Sequence, residues 1–319
     1  MAQSEYRKVE HEIKVQAPAR VVYQFIAEVA NWPQIFPPSV HVEYLERSGS
    51  QERIQIWAMA NGEPKTWISR RELDPGARRI EFRQERSTPP VGAMGGTWII
   101  ESVSHGESRV RLRHDYRAVD DDPARLAWID QAVDRNSQSE LAALKTNAEL
   151  ASGSAQLLLT FADSVRINGS VKDVYDFINE AQRWSERLPH VARAHLREDS
   201  LGLQLLEMDT RTRDGSVHTT TSVRVTFPHH RIVYKQIQVP ALMTLHTGLW
   251  TFEETDGGVT ATSQHTVAIN EANITSVLGA DAGVEEARTF VRNALSTNSL
   301  ATLRHAQNYA EGAPLSVGS

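Results

Sequence analysis

The sequence contains one segment twice, in two diverged copies. Residues 13–37, IKVQAPARVVYQFIAEVANWPQIFP, recur at 165–189 as VRINGSVKDVYDFINEAQRWSERLP, and residues 82–101 align without a gap on 234–253 at the same offset of 152. Average composition gives roughly one or two identities in a window like the first. The identities found there are Val22/Val174, Tyr23/Tyr175, Phe25/Phe177, Ile26/Ile178, Glu28/Glu180, Trp32/Trp184 and Pro37/Pro189. A period this long indicates two like domains rather than a solenoid of short repeats.

Length and composition narrow the class of protein. A chain of 319 residues accommodates two domains of about 150 residues, each able to bury about two thirds of its unfolded surface without staples. It has no cysteine, which excludes disulfides, thiolate catalysis and cysteine-ligated metal sites. A formal net charge of −6 and the lack of a recognition motif argue against nucleic acid. With no signal-peptide or membrane-span pattern, we expect a cytoplasmic protein without a membrane partner.

Each half shows the same order of predicted elements. A strand, Val9 to Val15 in the first copy and Leu157 to Ile167 in the second, precedes two short helices. About six strand candidates with tight turns follow, and then one long helix. Consecutive short strands joined by tight turns predict an antiparallel meander.

The predicted fold class is α+β, with two tandem helix-grip domains. In each, a curved antiparallel seven-stranded sheet wraps around a long C-terminal helix, and two short helices follow the first strand. We place the domains at residues 1–150 and 156–310, joined by a linker at 151–155 and followed by a flexible tail at 311–319. Because a curved sheet and a straight helix cannot pack tightly along their whole length, each domain is expected to enclose a functional cavity.

Alternation along the last strand of each half points one histidine into that cavity. His114 shares a strand face with Val110 and Leu112, and His265 occupies the corresponding face beside Val267. The alternative is a core histidine bonded to the backbone, since buried polar groups are normally satisfied locally.

Four tryptophans occupy equivalent positions in the two copies. Trp98 and Trp250 fall on a strand two residues after a glycine, and Trp32 and Trp184 fall at the break after the first helix. They are either core anchors inherited from a duplicated ancestor or walls of a pocket for a planar ligand.

One strand arginine in each half is a second candidate. Arg71 lies on the strand face of Trp67 and Leu73, which predicts an inward side chain, with a solvated arginine as the alternative. Its counterpart Arg224 lies on the face opposite Val223, so either that cavity is polar or Arg224 faces solvent.

Together these motifs resemble those of a known family. The motifs are Asn31-Trp32-Pro33, Trp67-x-x-x-Arg71, Pro90-Val91-x-x-Met94 and Trp98 in one helix-grip domain. With a divergent second copy behind them, they are similar to the didomain aromatase/cyclases of bacterial type II polyketide synthases, over essentially the whole chain. The START-like superfamily of this fold also contains lipid-transfer proteins, plant allergens and hormone receptors.

The resemblance implies a reaction and its partners. The substrate would be a linear poly-β-ketone on an acyl carrier protein, with other synthase components as further partners, in antibiotic biosynthesis. The implied reaction is first-ring closure between carbons seven and twelve and/or dehydration of a ring already formed on a chain reduced at carbon nine. Ring closure is an intramolecular aldol step and loss of water aromatises the ring, so neither a cofactor nor a metal is expected.

The resemblance also implies residue roles. Arg71 suits stabilisation of an oxyanion and His114 proton transfer, with Arg224 and His265 as their counterparts in the second domain. The residues expected to contact substrate are Trp32, Trp67, Val91, Met94, Trp98, Trp184, His218, Met243, His246 and Trp250. Ser39 and Val191 occupy the position of a pocket tyrosine found in some relatives, which argues against a scheme that depends on that tyrosine.

Two other functions stay open on the residues alone. One is a non-catalytic carrier of hydrophobic ligands, since no strong acid–base pair stands out in the sequence. The other is a chain in which one half is catalytic and the other a structural or docking remnant. Residues at equivalent pocket positions differ between the two copies, as with Met94 and His246. This difference favours two functional cavities with different roles.

Overall fold

In the part of the chain that the structure describes, seven strands in each half pair into one antiparallel sheet that faces a long helix. The computed structural model describes residues 6–150, 157–211 and 215–312. The chain divides into two compact units, Met1–Gly153 and Ser154–Ser319. The predicted pair of tandem helix-grip domains is confirmed.

The described residues of the first unit, 6–150, form three α-helices and two short 3-10 turns around its sheet. Its elements are β1 (Arg7–Val15), α1 (Ala19–Ala27), α2 (Trp32–Ile35), β2 (Ser39–Ser48), β3 (Gln51–Ala60), β4 (Glu63–Asp74), β5 (Arg79–Arg86), β6 (Val91–Ser102), β7 (Ser108–Ala118) and α3 (Pro123–Leu150), with 3-10 turns at Val29–Asn31 and Val119–Asp121. The strand order is β1-β7-β6-β5-β4-β3-β2. The first strand therefore adds beside the last, and the rest form a meander.

The second unit repeats this plan. Its elements are β8 (Leu158–Ile167), α4 (Val171–Asn179), α5 (Trp184–Arg187), β9 (Val191–Ser200), β10 (Leu203–Arg211), β11 (Val217–Phe227), β12 (Arg231–Gln238), β13 (Met243–Thr255), β14 (Gly258–Ile269), α6 (Ile274–Leu278) and α7 (Val284–Ala310), with 3-10 turns at Ala181–Arg183 and Glu271–Asn273. Its strand order is β8-β14-β13-β12-β11-β10-β9.

Local sequence explains how the short helices begin and what they cover. Pro18 precedes α1, where its fixed φ suits the start of a helix, and Val22 and Ile26 are fully buried one turn apart. In the second copy Ser170 caps α4, its Oγ accepting the backbone N–H of Asp173 at 3.0 Å. Helices α1 and α4 each pack against the sheet and the long helix of their domain.

The long helices cover the concave face of each sheet. In α3 the buried positions Ile129, Leu141 and Leu144 recur at helical spacing. In α7 Ala287, Val291 and Leu303 do the same. Neither face is buried along its whole length, and a cavity remains between helix and sheet in each domain.

The structure differs from the sequence-based expectation in one element. Helix α6, a single turn before α7, was not predicted, because five residues carry too little periodicity to be recognised. Ile274 anchors it in a core cluster with Leu242 and Val267. The predicted linker at 151–155 lies outside the described residues, as does the predicted tail apart from 311–312, which form a turn after α7. Among the described helices none is long and apolar enough to cross a membrane.

Candidate functional site

The cavity of the first domain, here the N-terminal cavity, lies between α3 and the curved sheet. Its volume is about 140 Å³. Five predicted site residues line it, namely Trp32, Trp67, Val91, Met94 and His114. Two others do not belong to its described lining. Trp98 is a core residue that stacks on Phe36 with ring centroids 6.3 Å apart, and Arg71 lies beside the end of α1.

Arg71 is buried and its charge is neutralised. Its Nη1 donates to Glu52 Oε2 at 3.0 Å, and these two side chains are only 2% and 1% exposed. Its Nη2 donates to the carbonyls of Ile26 and Ala27 at 2.9 and 3.2 Å, at the C-terminal end of α1. Burial lowers the pKa of Arg71 and the Glu52 carboxylate opposes that shift. The guanidinium ties α1 to the sheet and lies 5.2 Å from the Trp32 ring centroid.

The N-terminal cavity also holds two groups suited to proton transfer. Burial lowers the pKa of His114 to about 4, so this imidazole is neutral near pH 7, and its Nδ1 has no hydrogen-bond partner among the described residues. Glu140 reaches the cavity from α3, and burial raises its pKa to about 7. A carboxyl group with that pKa exchanges protons readily at neutral pH.

The C-terminal cavity, between α7 and the second sheet, is larger. Its volume is about 390 Å³, within the range of small-molecule sites. Every site residue predicted for this domain lines it: Trp184, His218, Arg224, Met243, His246, Trp250 and His265. The sequence left open whether Arg224 faces a polar cavity or solvent. It faces a polar cavity, because Thr220 and Ser222 of β11 line the cavity beside it.

Arg224 differs from Arg71 in the residue that faces it. Gln204 lies directly opposite Arg224 in the β10–β11 register, where Glu52 lies opposite Arg71. The guanidinium of Arg224 donates to the carbonyls of Ile178 and Asn179 at 2.8 and 3.2 Å. Burial lowers its pKa to about 10, so it stays cationic at neutral pH. Within the described residues no carboxylate forms an ion pair with it, and its charge is available to the cavity.

A hydrogen-bonded cluster lies on the sheet wall of the C-terminal cavity. The Nδ1 of His265 is 3.1 Å from the Tyr234 hydroxyl and 3.0 Å from His246 Nε2. The Nε2 of His265 is 3.2 Å from Ser263 Oγ. Burial lowers the pKa of His246 to about 3 and that of His265 to about 4, so both rings are neutral at physiological pH.

The comparisons with known proteins agree with this architecture. The family model described as "Polyketide cyclase / dehydrase and lipid transport" matches residues 6–149 and again 159–311. The chain belongs to this polyketide cyclase family. The granaticin polyketide synthase bifunctional cyclase/dehydratase of Streptomyces virginiae is 51% identical over 296 residues, covering 92% of this chain and 97% of that protein.

Two solved structures are similar to this chain over both domains. The di-domain ARO/CYC BexL from the BE-7585A biosynthetic pathway is 65% identical with a TM-score of 0.86, covering 97% of this chain and all of that one (100%). The di-domain ARO/CYC StfQ from the steffimycin biosynthetic pathway is 36% identical with a TM-score of 0.83, covering 95% and 98%. The predicted resemblance to didomain aromatase/cyclases is confirmed, and this member of the polyketide cyclase family is an enzyme of the cyclase/dehydratase type.

Sequence reasoning missed three groups in this polyketide cyclase. Glu140 sits one turn before the buried Leu144 on a helix face already assigned inward, so helical spacing could have identified it. Tyr234 aligns with Phe82 in the ungapped second repeat, and that replacement was visible in the sequence. The role of Glu52 had no local signal, because its partner Arg71 lies on another strand.

The raised pKa of Glu140 predicts a pH-dependent effect on stability. The folded state holds this proton up to about pH 7, whereas an unfolded glutamate loses it near pH 4.5. Stability from this group is therefore complete at low pH and is lost as the pH rises through this window. We expect Glu140→Gln to raise the melting temperature more at pH 8 than at pH 5, by calorimetry. The exposed Glu72→Gln variant serves as control, and an effect of Glu140→Gln that is equal at both pH values would contradict the assignment.

Proposed function

We propose that this chain closes and aromatises the first ring of a poly-β-ketone carried on an acyl carrier protein, joining carbons seven and twelve, in aromatic polyketide antibiotic biosynthesis. The cyclase/dehydratase names of its relatives support the reaction class. Cyclisation and dehydration both need folding of a flexible chain, stabilisation of an enolate or alkoxide oxygen, and proton movement. In this scheme neither cyclisation nor dehydration needs a cofactor.

The observation that carries the proposal is the position of Arg224. It lines the larger cavity as a buried cation, and no described carboxylate forms an ion pair with it. A fixed guanidinium in a water-poor site stabilises an oxyanion as charge develops on a substrate carbonyl. The backbone carbonyls that hold Arg224 keep it in place, so the enzyme does not reorganise at the moment of reaction.

The walls of the C-terminal cavity suit a cyclised, partly aromatic intermediate. Trp184 and Trp250 bound the cavity, and Arg224 lies 5.5 Å from the Trp184 ring centroid. Flat indole faces restrict a flexible polyketide to compact folded conformations and accept the planar product. We therefore assign dehydration and aromatisation of the first ring to the C-terminal cavity.

The N-terminal cavity has a different balance of groups and a different role. The arginine of this domain, Arg71, is paired with Glu52 outside the cavity lining, and Glu140 and His114 supply proton transfer in a smaller space. We assign Arg71 to positioning of α1 and Trp32 rather than to stabilisation of an oxyanion. Glu140 and His114 then serve enolisation of the chain before the ring closes.

Reconstitution tests the proposal. A minimal type II synthase and a ketoreductase are supplied with malonyl units, with and without this protein, and products are resolved by liquid chromatography and mass spectrometry. We expect the protein to convert shunt products into the aromatised first-ring product, with acyl carrier protein required for turnover. A product distribution indifferent to the protein, together with tight binding of hydrophobic ligands, would instead support a carrier.

A further inference from the structure

The C-terminal cavity carries proton donors and acceptors at two positions where the N-terminal domain carries apolar residues. Tyr234 and His246 both line it, next to His265. The equivalent residues of the first domain are Phe82, Met94 and His114. Duplication therefore left the histidine in place, and divergence placed two further proton-carrying side chains around it in one domain only.

These side chains form one connected path. The Nδ1 of His265 is within 3.1 Å of the Tyr234 hydroxyl and within 3.0 Å of His246 Nε2. His246 is 2% exposed, and its Nδ1 has no hydrogen-bond partner among the described residues. A buried ring nitrogen without a partner is costly unless a ligand satisfies it. The free nitrogen and the Tyr234 hydroxyl are thus the two ends of a path that runs through His265.

The backbone makes room for this arrangement. Gly248 pairs with both Tyr234 and His265 across the sheet, and a Cβ at Gly248 would lie 2.1 Å from the tyrosine ring. The ring therefore packs directly against the glycine backbone, where its hydroxyl can reach His265. The tyrosine is held in this position by packing as well as by its hydrogen bond.

Burial keeps the members of the path neutral. Burial raises the pKa of Tyr234, which Arg224 opposes, and lowers the pKa of both histidines. Asp163 opposes the shift at His265, and His265 adds to the shift at His246. Neutral imidazoles can accept and pass on protons, and a protonated phenol can donate one.

We propose that Tyr234, His265 and His246 form a proton relay that carries the proton removed from the substrate carbon to the hydroxyl that leaves as water. The inference rests on the proposed dehydration in the C-terminal cavity. Tyr234 is the acid of this relay, and the free Nδ1 of His246 is its base.

The dehydration breaks one carbon–hydrogen and one carbon–oxygen bond and forms a carbon–carbon double bond and water. The carbon–hydrogen bond breaks, its electron pair forms the new carbon–carbon double bond, and His246 Nδ1 takes the proton. The proton on His246 Nε2 passes to His265 Nδ1. Tyr234 gives its proton to the leaving hydroxyl as the carbon–oxygen bond breaks, and recovers one from His265 Nδ1. One water leaves, and His246 is left in its other neutral tautomer, which one proton exchange with solvent reverses.

The sister domain supplies the test variants. Tyr234→Phe and His246→Met install the residues that the N-terminal domain carries at these positions, so both have a precedent in the same fold. Each variant is expected to slow dehydration about 10²-fold or more, with cyclised but undehydrated product accumulating. The double variant should be no slower than the worse single variant, because members of one relay fail as a unit. Tyr309→Phe, the same change at a tyrosine of α7 outside the cavity lining, is the control.

Failure of the relay and failure of the proposed function would give different results in these experiments. Dehydration at the wild-type rate in either single variant, or multiplied losses in the double variant, would overturn the relay while leaving the function in place. If the wild-type protein itself gives no dehydrated product, the proposed function fails, and nuclear magnetic resonance of histidine ring nitrogens still tests the path. Tyr234→Phe should then shift the ring signals of His265 in neutral solution, and unchanged signals would overturn the relay.

Discussion

Arg224→Met is expected to lower the turnover number for aromatised product by about 10²- to 10³-fold, the usual cost of removing one oxyanion donor. Methionine keeps much of the volume of the arginine stem but cannot offset negative charge on a substrate oxygen. The measurement is product formation by the reconstituted synthase under single-turnover conditions. Circular dichroism and thermal melting establish that the variant is folded.

A second change tests the same charge without touching the arginine. Gln204→Glu combined with Glu198→Gln places a carboxylate opposite Arg224, copying the pairing of Glu52 with Arg71 in the first domain. The second change is needed because Gln204 Nε2 donates to the Glu198 carboxylate at 2.8 Å, and exchanging the two residues keeps this hydrogen bond in the reverse direction. We expect a loss of turnover similar to that of Arg224→Met, with the fold intact, because an ion pair would neutralise the cation. Full activity in both variants would show that this charge takes no part in the reaction.

Arg71→Met is expected to act mainly on stability, destabilising the first domain by about 3 kcal/mol. The change leaves the buried Glu52 carboxylate without its main partner and breaks the bonds to the end of α1. We take the lower end of the range for broken buried ion pairs because Arg47 still contacts Glu52 at 3.1 Å. Urea denaturation followed by tryptophan fluorescence measures the change in the free energy of unfolding.

The matched control removes both charges. Arg71→Met combined with Glu52→Leu should recover much of the lost stability, since apolar replacement of a whole buried ion pair is often neutral. If Arg71→Met alone left the first domain as stable as the wild type, the ion pair would not hold α1 to the sheet. A selective loss of turnover without loss of stability would return Arg71 to the catalytic role that the resemblance implies.

The two arginines show why a resemblance located the candidate residues but did not separate their roles. The repeat placed Arg71 and Arg224 on equivalent strands, and both are buried against the end of a short helix. What distinguishes them is one cross-strand neighbour, Glu52 or Gln204. That neighbour is set by the register of the strand pair, which depends on turn geometry and on tertiary packing.

The inward histidines could be assigned from the sequence pattern, whereas the roles of the tryptophans depend on tertiary packing. Alternation on β7 and β14 was enough to turn His114 and His265 inward, because side chains in a strand have a strict period of two. The same rule could not tell Trp98 from Trp250, since both face the concave side of a sheet. Phe36 stacks on Trp98 in the core of the first domain, whereas Trp250 is left facing the larger cavity.

From the sequence alone we predicted the duplication, the order of elements, the helix-grip fold and a set of candidate residues, all of which line a cavity except Trp98 and Arg71. These follow from short-range periodicities and from the two copies read against each other. Only the tertiary structure decided that the two cavities differ in size, that Glu52 neutralises Arg71 while Arg224 stays free of a described ion pair, and that Tyr234, His246 and His265 meet. Those properties depend on distances between side chains from different strands. The curvature of the sheet sets these distances, and no local sequence pattern encodes that curvature.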